Sequence, residues 1–323
     1  MIQEKDKIAL IFPGQGSQIV GMGDDLAKQF KLCRDIFEQA DQILGFKLSK
    51  ILWEGPTEAI NDTVNTQPAL FVHSIAALKL FESEFPNIKP ALIAGHSLGE
   101  ITALVAARSI SFESGLKLVR RRGELMQEAG SISPGGMAAI LGMDVNKLEE
   151  ICSEASNEIE VVQVANDNCP GQIVISGNKS ALERAMLAAK ENGARKIRPL
   201  AVSIAAHSIL MEIAQRGFVE AINDIDGFQD SFVPVISNVK ASPLSHASDL
   251  KQDILAQLTS RVRWTESVQY IYSCGISTFI EIGSGSVLTG LLKRINENCI
   301  GHSYGTFDNV LTLRQEMDVS PKT

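Results

Sequence analysis

Gly95-His96-Ser97-Leu98-Gly99 has the Gly-x-Ser-x-Gly form of a nucleophile elbow, in which a serine hydroxyl is presented on a sharp turn between a strand and a helix. Serine at its own pKa is a weak nucleophile, so this chemistry also needs a proton acceptor within hydrogen-bond reach. The chain has five histidines. His73 lies in a long apolar helical run and reads as packed core, while His96 adjoins the serine and points away from it if the segment enters as a strand. His246 falls in a polar loop and His302 near the C-terminus. His207 follows an apolar strand and precedes Ile209-Leu210-Met211-Glu212, a helix start, and is the favoured base, although no acid beside it completes a Ser-His-Asp set.

A third group is a cation. In the helical stretch Lys117 to Met126, the residues Leu118, Val119, Leu125 and Met126 form one apolar stripe with Arg122 at its centre; Arg121 falls to the side and Arg120 on the far face. A charge on a buried face is costly unless paired, so Arg122 needs an anion. Two partners fit: an Asp or Glu elsewhere in the chain, or a substrate carboxylate held by the guanidinium fork.

The elements that must position these groups follow from the flanking pattern. Pro90 to Ala94 is a short apolar run of buried-strand type and Leu98 to Ala107 reads as a helix, with Glu100 suited to its N-terminal dipole. Without that setting an ordinary Gly-rich turn would explain the pentapeptide equally well. A first strand, Ile8 to Phe12, ends in Pro13-Gly14-Gln15-Gly16-Ser17-Gln18; Ile19 breaks the dinucleotide fingerprint, and the loop's N–H groups are candidate oxyanion donors instead. Thr66-Gln67-Pro68 opens a helix over Ala69 to Phe85, with Thr66 as N-cap and Pro68 near the first helical position.

From about Ser133 to Ser203 the pattern changes to strand (Met137–Gly142), helix (Val145–Ala155), strand (Ile159–Ala165), strand (Gln172–Gly177), helix (Ser180–Asn192) and strand (Ala194–Val202). This βαββαβ order is ferredoxin-like and reads as an inserted second domain. Beyond it, strands at Pro234 to Ser237 and Thr278 to Ile282 alternate with helices, which implies a largely parallel sheet. Gly283-Ser284-Gly285-Ser286 lacks a Gly-Lys-Ser/Thr ending and reads as a packed turn rather than a phosphate cradle. The polar stretch Asp308 to Thr323 is expected to be a partly disordered tail.

A net charge of −8 argues against general affinity for nucleic acid or anionic membrane. The five cysteines (33, 152, 169, 274 and 299) show no C-x-x-C pair and no metal-ligand spacing, and read as reduced thiols. The N-terminus is too polar for a signal peptide and no apolar run approaches the roughly 18 residues of a membrane span. The expected protein is soluble, cytoplasmic and monomeric, with no metal.

Several motifs in order then point to a family. Phe12-Pro13-Gly14-Gln15-Gly16-Ser17-Gln18, Thr66-Gln67-Pro68-Ala69-Leu70, Gly95 to Glu100, Arg122-Gly123 with Met126-Gln127, and Gln257-Leu258 with Val262-Arg263-Trp264 resemble the malonyl-CoA:acyl carrier protein transacylases, over about residues 8 to 295. The resemblance implies an α/β fold: an α/β-hydrolase-like large domain (1–132 and 204–307), a ferredoxin-like small domain (133–203) and a C-terminal tail (308–323). It implies Ser97 as nucleophile and His207 as base and acid, the latter oriented by main-chain carbonyls. It places the oxyanion hole at the N–H groups of Gln15 and Leu98, the malonyl carboxylate on Arg122, Met126 beside that arginine, and Asn166 and Gln257 in the pocket wall.

No bound cofactor is implied; the substrates are malonyl-CoA and phosphopantetheinylated acyl carrier protein, the latter also the partner. An acidic carrier needs a local basic patch on an acidic chain, and Lys190, Arg195, Lys196 and Arg198, or Lys293 and Arg294, are the candidates. The residue before the active-site histidine, often Phe in malonyl enzymes and Ser in methylmalonyl-type enzymes, is Ala206. Alternatives to the fatty-acid reading are a free-standing polyketide acyltransferase, with a branched extender unit given the room beside Ala206, and an editing acyl hydrolase.

Overall fold

Ile8–Phe12 (β1) is five apolar residues in a row, all buried, the pattern of a central strand in a parallel sheet. In a computed structural model that describes residues 7–317, it lies in a mixed α/β fold. Residues 1–6 of the polar N-terminus and 318–323 of the expected tail fall outside the described residues.

Five helices follow β1: α1 Asp24–Gln29, α2 Lys31–Leu44, α3 Leu48–Glu54, α4 Thr57–Asn61 and α5 Thr63–Glu84. Next come β2 Pro90–Gly95, α6 Leu98–Ala106 and α7 Phe112–Ile132. The middle of the chain runs β3 Gly135–Leu141, α8 Val145–Ala155, β4 Val162–Cys169, β5 Gln172–Asn178, α9 Lys179–Glu191 and β6 Lys196–Pro199. A 3-10 turn at Ile209–Met211 leads into α10 Glu212–Asn223, β7 Val235–Ile236, β8 Pro243–Leu244, α11 Ala247–Gln257, α12 Trp264–Ser273, β9 Thr278–Ile282, α13 Val287–Ile295, β10 Ile300–Tyr304 and α14 Phe307–Glu316.

One sheet has the order β10-β9-β1-β2-β7-β8, parallel except for β8. Alternation along β1 divides its core: Ile8, Leu10 and Phe12 face the side of α5, whereas Ala9 and Ile11 face Trp264, Phe279 and Leu292. The second sheet, β4-β5-β3-β6, is antiparallel throughout. Ala138, Ile140, Ile173 and Ile175 on one face pack with α8 and α9, while Met137, Ala139 and Val174 on the other face line a cavity. Among the described residues no helix is long and apolar enough to cross a membrane.

Several element boundaries differ from expectation. The helix expected to open at Thr66 begins at Thr63, with Asp62 as N-cap accepting from the Val64 N–H. Pro68 is therefore the sixth helical residue and cannot donate to the Val64 carbonyl four residues back. That carbonyl accepts from Arg120 Nη1 at 3.2 Å instead, and Thr66 Oγ1 donates to the Ile60 carbonyl at 2.6 Å.

The strand expected over Ile159 to Ala165 is shifted to Val162–Cys169. Ile159 is exposed in a turn, and the polar run Asn166-Asp167-Asn168 stays extended because its backbone bridges to Val262. β6 is shorter than expected and ends at Pro199. The expected tail is a docked helix up to Glu316: Thr306 and Asn309 form a capping box, Val310 and Leu313 are buried, and the Phe307 N–H donates to Asp25.

Candidate active site

The elbow forms where β2 stops and α6 starts. Ser97 there has φ 53° and ψ −108°, a left-handed conformation costly for a residue with a side chain. Gly95 and Gly99 allow the turn to close: a Cβ on Gly95 would run into the Gly99 carbonyl, and one on Gly99 into the Phe12 carbonyl. Side chains from distant segments tie down three peptide groups of the elbow. Asn238 Oδ1 accepts from the Ser97 N–H at 2.7 Å, Asn238 Nδ2 donates to the Gly95 carbonyl at 2.6 Å, and Gln257 Nε2 donates to the Ser97 carbonyl at 3.0 Å.

His207 Nε2 lies 2.8 Å from Ser97 Oγ. Its Nδ1 faces the main-chain carbonyls of Gln257 at 2.9 Å and Ser260 at 3.1 Å, which fixes the proton on Nδ1 and leaves the Nε2 lone pair for the serine hydroxyl. Among the described residues no carboxylate bonds to the ring. Burial first, and then the Arg122 charge, hold the His207 pKa down to about 3, so the ring is neutral at physiological pH.

Arg122, on α7, is 1% exposed. Its Nη1 donates to Gln67 Oε1 at 3.0 Å, and its Nη2 to Gln257 Oε1 at 2.9 Å and Ser97 Oγ at 3.1 Å; Nε has no partner among the described residues. Of the two partners its position allowed, the internal one is absent: no carboxylate lies within ion-pair distance among the described residues. Burial pushes its pKa down to about 10, which leaves it charged at neutral pH.

The other expected site residues fall around a cavity of about 520 Å³ that contains Ser97, Arg122 and His207 in its wall. Gln15, Leu98, Met126, Asn166 and Ala206 also line it. Leu98 is the first residue of α6, where N–H groups have no intrahelical acceptor. Met126 Sδ accepts from Gln67 Nε2 at 3.1 Å, so Gln67 ties the thioether to the guanidinium. A larger cavity, about 640 Å³, surrounds Phe81, Phe85 and Arg108 and holds none of these groups. Among the described residues no cluster of His, Cys, Asp or Glu could hold a metal ion.

Two placements, of Gln257 and His96, correct the expectations, and a third, of Glu100, adds to them. Gln257 does not line the cavity; it is 1% exposed and lies behind it, bonded to Arg122, Ser97, His207 and Glu100. Glu100 stands in the first turn of α6, where it suits the helix dipole, but it is buried there: it is 2% exposed and accepts from the Asn238 N–H at 2.8 Å and from Gln257 Nε2. Burial, and then Asp253, raise its pKa well above the carboxylate range. His96 lines the same cavity instead of pointing away, yet its Nε2 pairs with Asn168 Oδ1 at 2.8 Å and not with Ser97. His73 is buried core, with Nε2 donating to the Gly305 carbonyl at 2.8 Å.

A serine hydroxyl bonded to a neutral imidazole, beside the first N–H of a helix at Leu98, is the equipment of acyl transfer through an ester intermediate. The chain belongs to the acyl transferase family, whose domain model matches residues 9–306. It is 47% identical over 290 residues to a malonyl CoA-acyl carrier protein transacylase of Bacillus subtilis, covering 90% of each chain. Among solved structures it is similar to the malonyl CoA-acyl carrier protein transacylase of Coxiella burnetii, with a TM-score of 0.92, 37% identity, and coverage of 97% of this chain and 98% of the other. A malonyl-transacylase solved in complex with a type II PKS acyl-carrier protein gives a TM-score of 0.92 at 38% identity, covering 96% of this chain and 100% of that one.

Proposed function

We propose that this chain transfers the malonyl group of malonyl-CoA to the phosphopantetheine thiol of an acyl carrier protein in fatty-acid biosynthesis, by way of a malonyl ester on Ser97. The observation that carries the reading is Arg122: a buried guanidinium with no carboxylate within ion-pair distance among the described residues, 3.1 Å from the Ser97 hydroxyl, suits an acyl group that brings its own carboxylate.

In the first half-reaction Ser97 Oγ attacks the thioester carbonyl and passes its proton to His207 Nε2. The N–H groups of Gln15 and Leu98 receive the oxyanion, and the intermediate collapses with loss of the coenzyme A thiolate, which takes the proton from His207. In the second half-reaction the carrier thiol gives its proton to His207 and attacks the seryl ester, and Ser97 recovers its proton as the ester bond breaks. One thioester replaces another, so little net driving force is required. Part of the fall in the His207 pKa comes from the Arg122 charge. A carboxylate on Arg122 would cancel the Coulomb part of that shift and make the imidazole a stronger base when acyl substrate is bound.

Asn166 and Met126 shape the acyl end of the pocket, and Gln257 works from behind it. The fold is read as an α/β-hydrolase-like domain (1–132 and 204–307) carrying a ferredoxin-like insertion (133–203), consistent with the strand order of the second sheet and with the Gly135 N–H to Ser203 carbonyl bond joining the two ends of the insertion. No cofactor is needed, and the protein is read as a soluble cytoplasmic monomer. A carrier from polyketide synthesis is the second reading, favoured by the relative solved with such a carrier.

The test is intact mass after mixing with malonyl-, methylmalonyl- and acetyl-CoA. Malonyl addition to the wild type and none to Ser97→Ala is expected. Preferential acetyl addition would overturn the role of Arg122, and preferential methylmalonyl addition would assign the space beside Ala206 to a branched unit.

A further inference from the structure

Glu100 bonds to both of the residues whose side-chain amides grip the elbow, Asn238 and Gln257. It lies on α6 one turn beyond Ser97 and is 2% exposed. Its Oε1 accepts from the backbone N–H of Asn238, whose side chain binds both the Ser97 N–H and the Gly95 carbonyl. Its Oε2 accepts from Gln257 Nε2, which also donates to the Ser97 carbonyl. With Nε2 committed to those two acceptors, Gln257 must turn Oε1 toward Arg122 Nη2.

We infer that Glu100 is a positioning residue which, through Asn238 and Gln257, holds the strained Ser97 conformation and sets the orientation of Arg122. The inference rests on the reading of Ser97 as nucleophile and Arg122 as carboxylate binder. Two donors from different segments converge on residue 100, and a carboxyl group supplies two acceptor oxygens for them. A carboxamide there could satisfy only one and would set an NH₂ against the other. If the clash fell on Gln257, relief would require its amide to flip, which would set its NH₂ against the guanidinium and its oxygen against the Ser97 carbonyl. The His207 ring would be spared, because it is held by main-chain carbonyls of Gln257 and Ser260 rather than by the amide. Asp253, bonded to Ser237 Oγ at 2.5 Å, stands beside Glu100 as acceptor for the proton that burial keeps on it.

The test is the rate of acyl-serine formation by quench and intact mass, with malonyl-CoA and acetyl-CoA in parallel, for wild type, Glu100→Gln and Glu100→Asp. Leaving one buried donor unsatisfied corresponds to roughly a 10- to 100-fold effect. Glu100→Gln is expected to lose malonyl loading by about that factor while acetyl loading falls less, so the malonyl-to-acetyl ratio narrows. Glu100→Asp keeps both acceptors on a shorter arm and is expected to fall between. A ratio equal to wild type in the Gln variant overturns the inference, even if both rates drop with the folded fraction. Should the Gln variant not fold, the Asp variant decides in the same way. Failure of the underlying reading looks different: wild type itself would carry no acyl group on Ser97.

Discussion

Replacing Arg122 with Ala removes the feature on which the choice of acyl group depends, and its effect can be worked from the geometry. The guanidinium is 1% exposed and, among the described residues, bonded only to neutral oxygens of Gln67, Gln257 and Ser97. A malonyl carboxylate would complete a buried ion pair there, whereas an acetyl group would leave the charge uncompensated. Breaking a buried pair costs about 3–5 kcal/mol. At about 1.36 kcal/mol per tenfold in rate, the wild-type preference for malonyl over acetyl should be about 150- to 5,000-fold, and Arg122→Ala should bring it close to one. The assay is single-turnover acylation of Ser97 followed by mass, with the two thioesters competing in one vessel. The variant also loses the charge that depresses His207, so the acid limb of its acetyl-loading profile should move to higher pH. A preference that survives the substitution, or equal losses for both thioesters, would refute the reasoning.

Two further outcomes are expected. His207 titrates at about 3 in the folded chain against an ordinary 6.5, so as pH falls below about 6.5 the unfolded chain gains a proton that the folded chain refuses. Stability should therefore decline by up to about 1.4 kcal/mol per pH unit from this group over that window, and His207→Gln should show a shallower fall of thermal midpoint between pH 7 and 4; parallel curves would show that His207 is not the cause. Lys196 and Arg198 are exposed on edge strand β6, pair across from Leu141 and Ala139, and have no carboxylate partner among the described residues; Ala139 lines the active cavity. Their reversal to Glu should raise the KM for carrier protein and leave acylation by malonyl-CoA unchanged, and unaltered carrier kinetics would remove this patch from the docking surface. Arg294 is less available, being engaged by Gln172 and the Pro170 carbonyl.

Ser97, His207 and Arg122 were legible in the sequence for different reasons. The serine stands in a motif whose glycines are dictated by backbone contact, the arginine breaks an apolar stripe, and the histidine was left after four others were set aside. Asn238 was not legible, because its contact with Ser97 spans 141 residues and nothing in Ser237-Asn238-Val239 signals a clamp. Glu100 was legible as a first-turn acid of α6 but its burial was not: an acid there ordinarily faces solvent, and only the packing of β7 and α11 around it reveals a buried acceptor. Local rules also misplaced the start of α5, where Thr66 and Pro68 mimic a cap that Asp62 supplies. The last strand and helix escaped notice because Gly301, His302 and Ser303 dilute the apolar signal and the polar face of α14 hides Val310 and Leu313.

Pro68 is a missing rung in the ladder of α5, and the gap determines more than the helix that contains it. The carbonyl it leaves open is filled from α7 by Arg120, and two residues further along α7 Arg122 reaches Gln67 on the same turn of α5. The two helices are thereby pegged to each other at adjacent points. An apparent defect in one helix thus acts as a mortise for its neighbour, and the position of the guanidinium over the serine is set by joinery outside the pocket as well as by the groups within it.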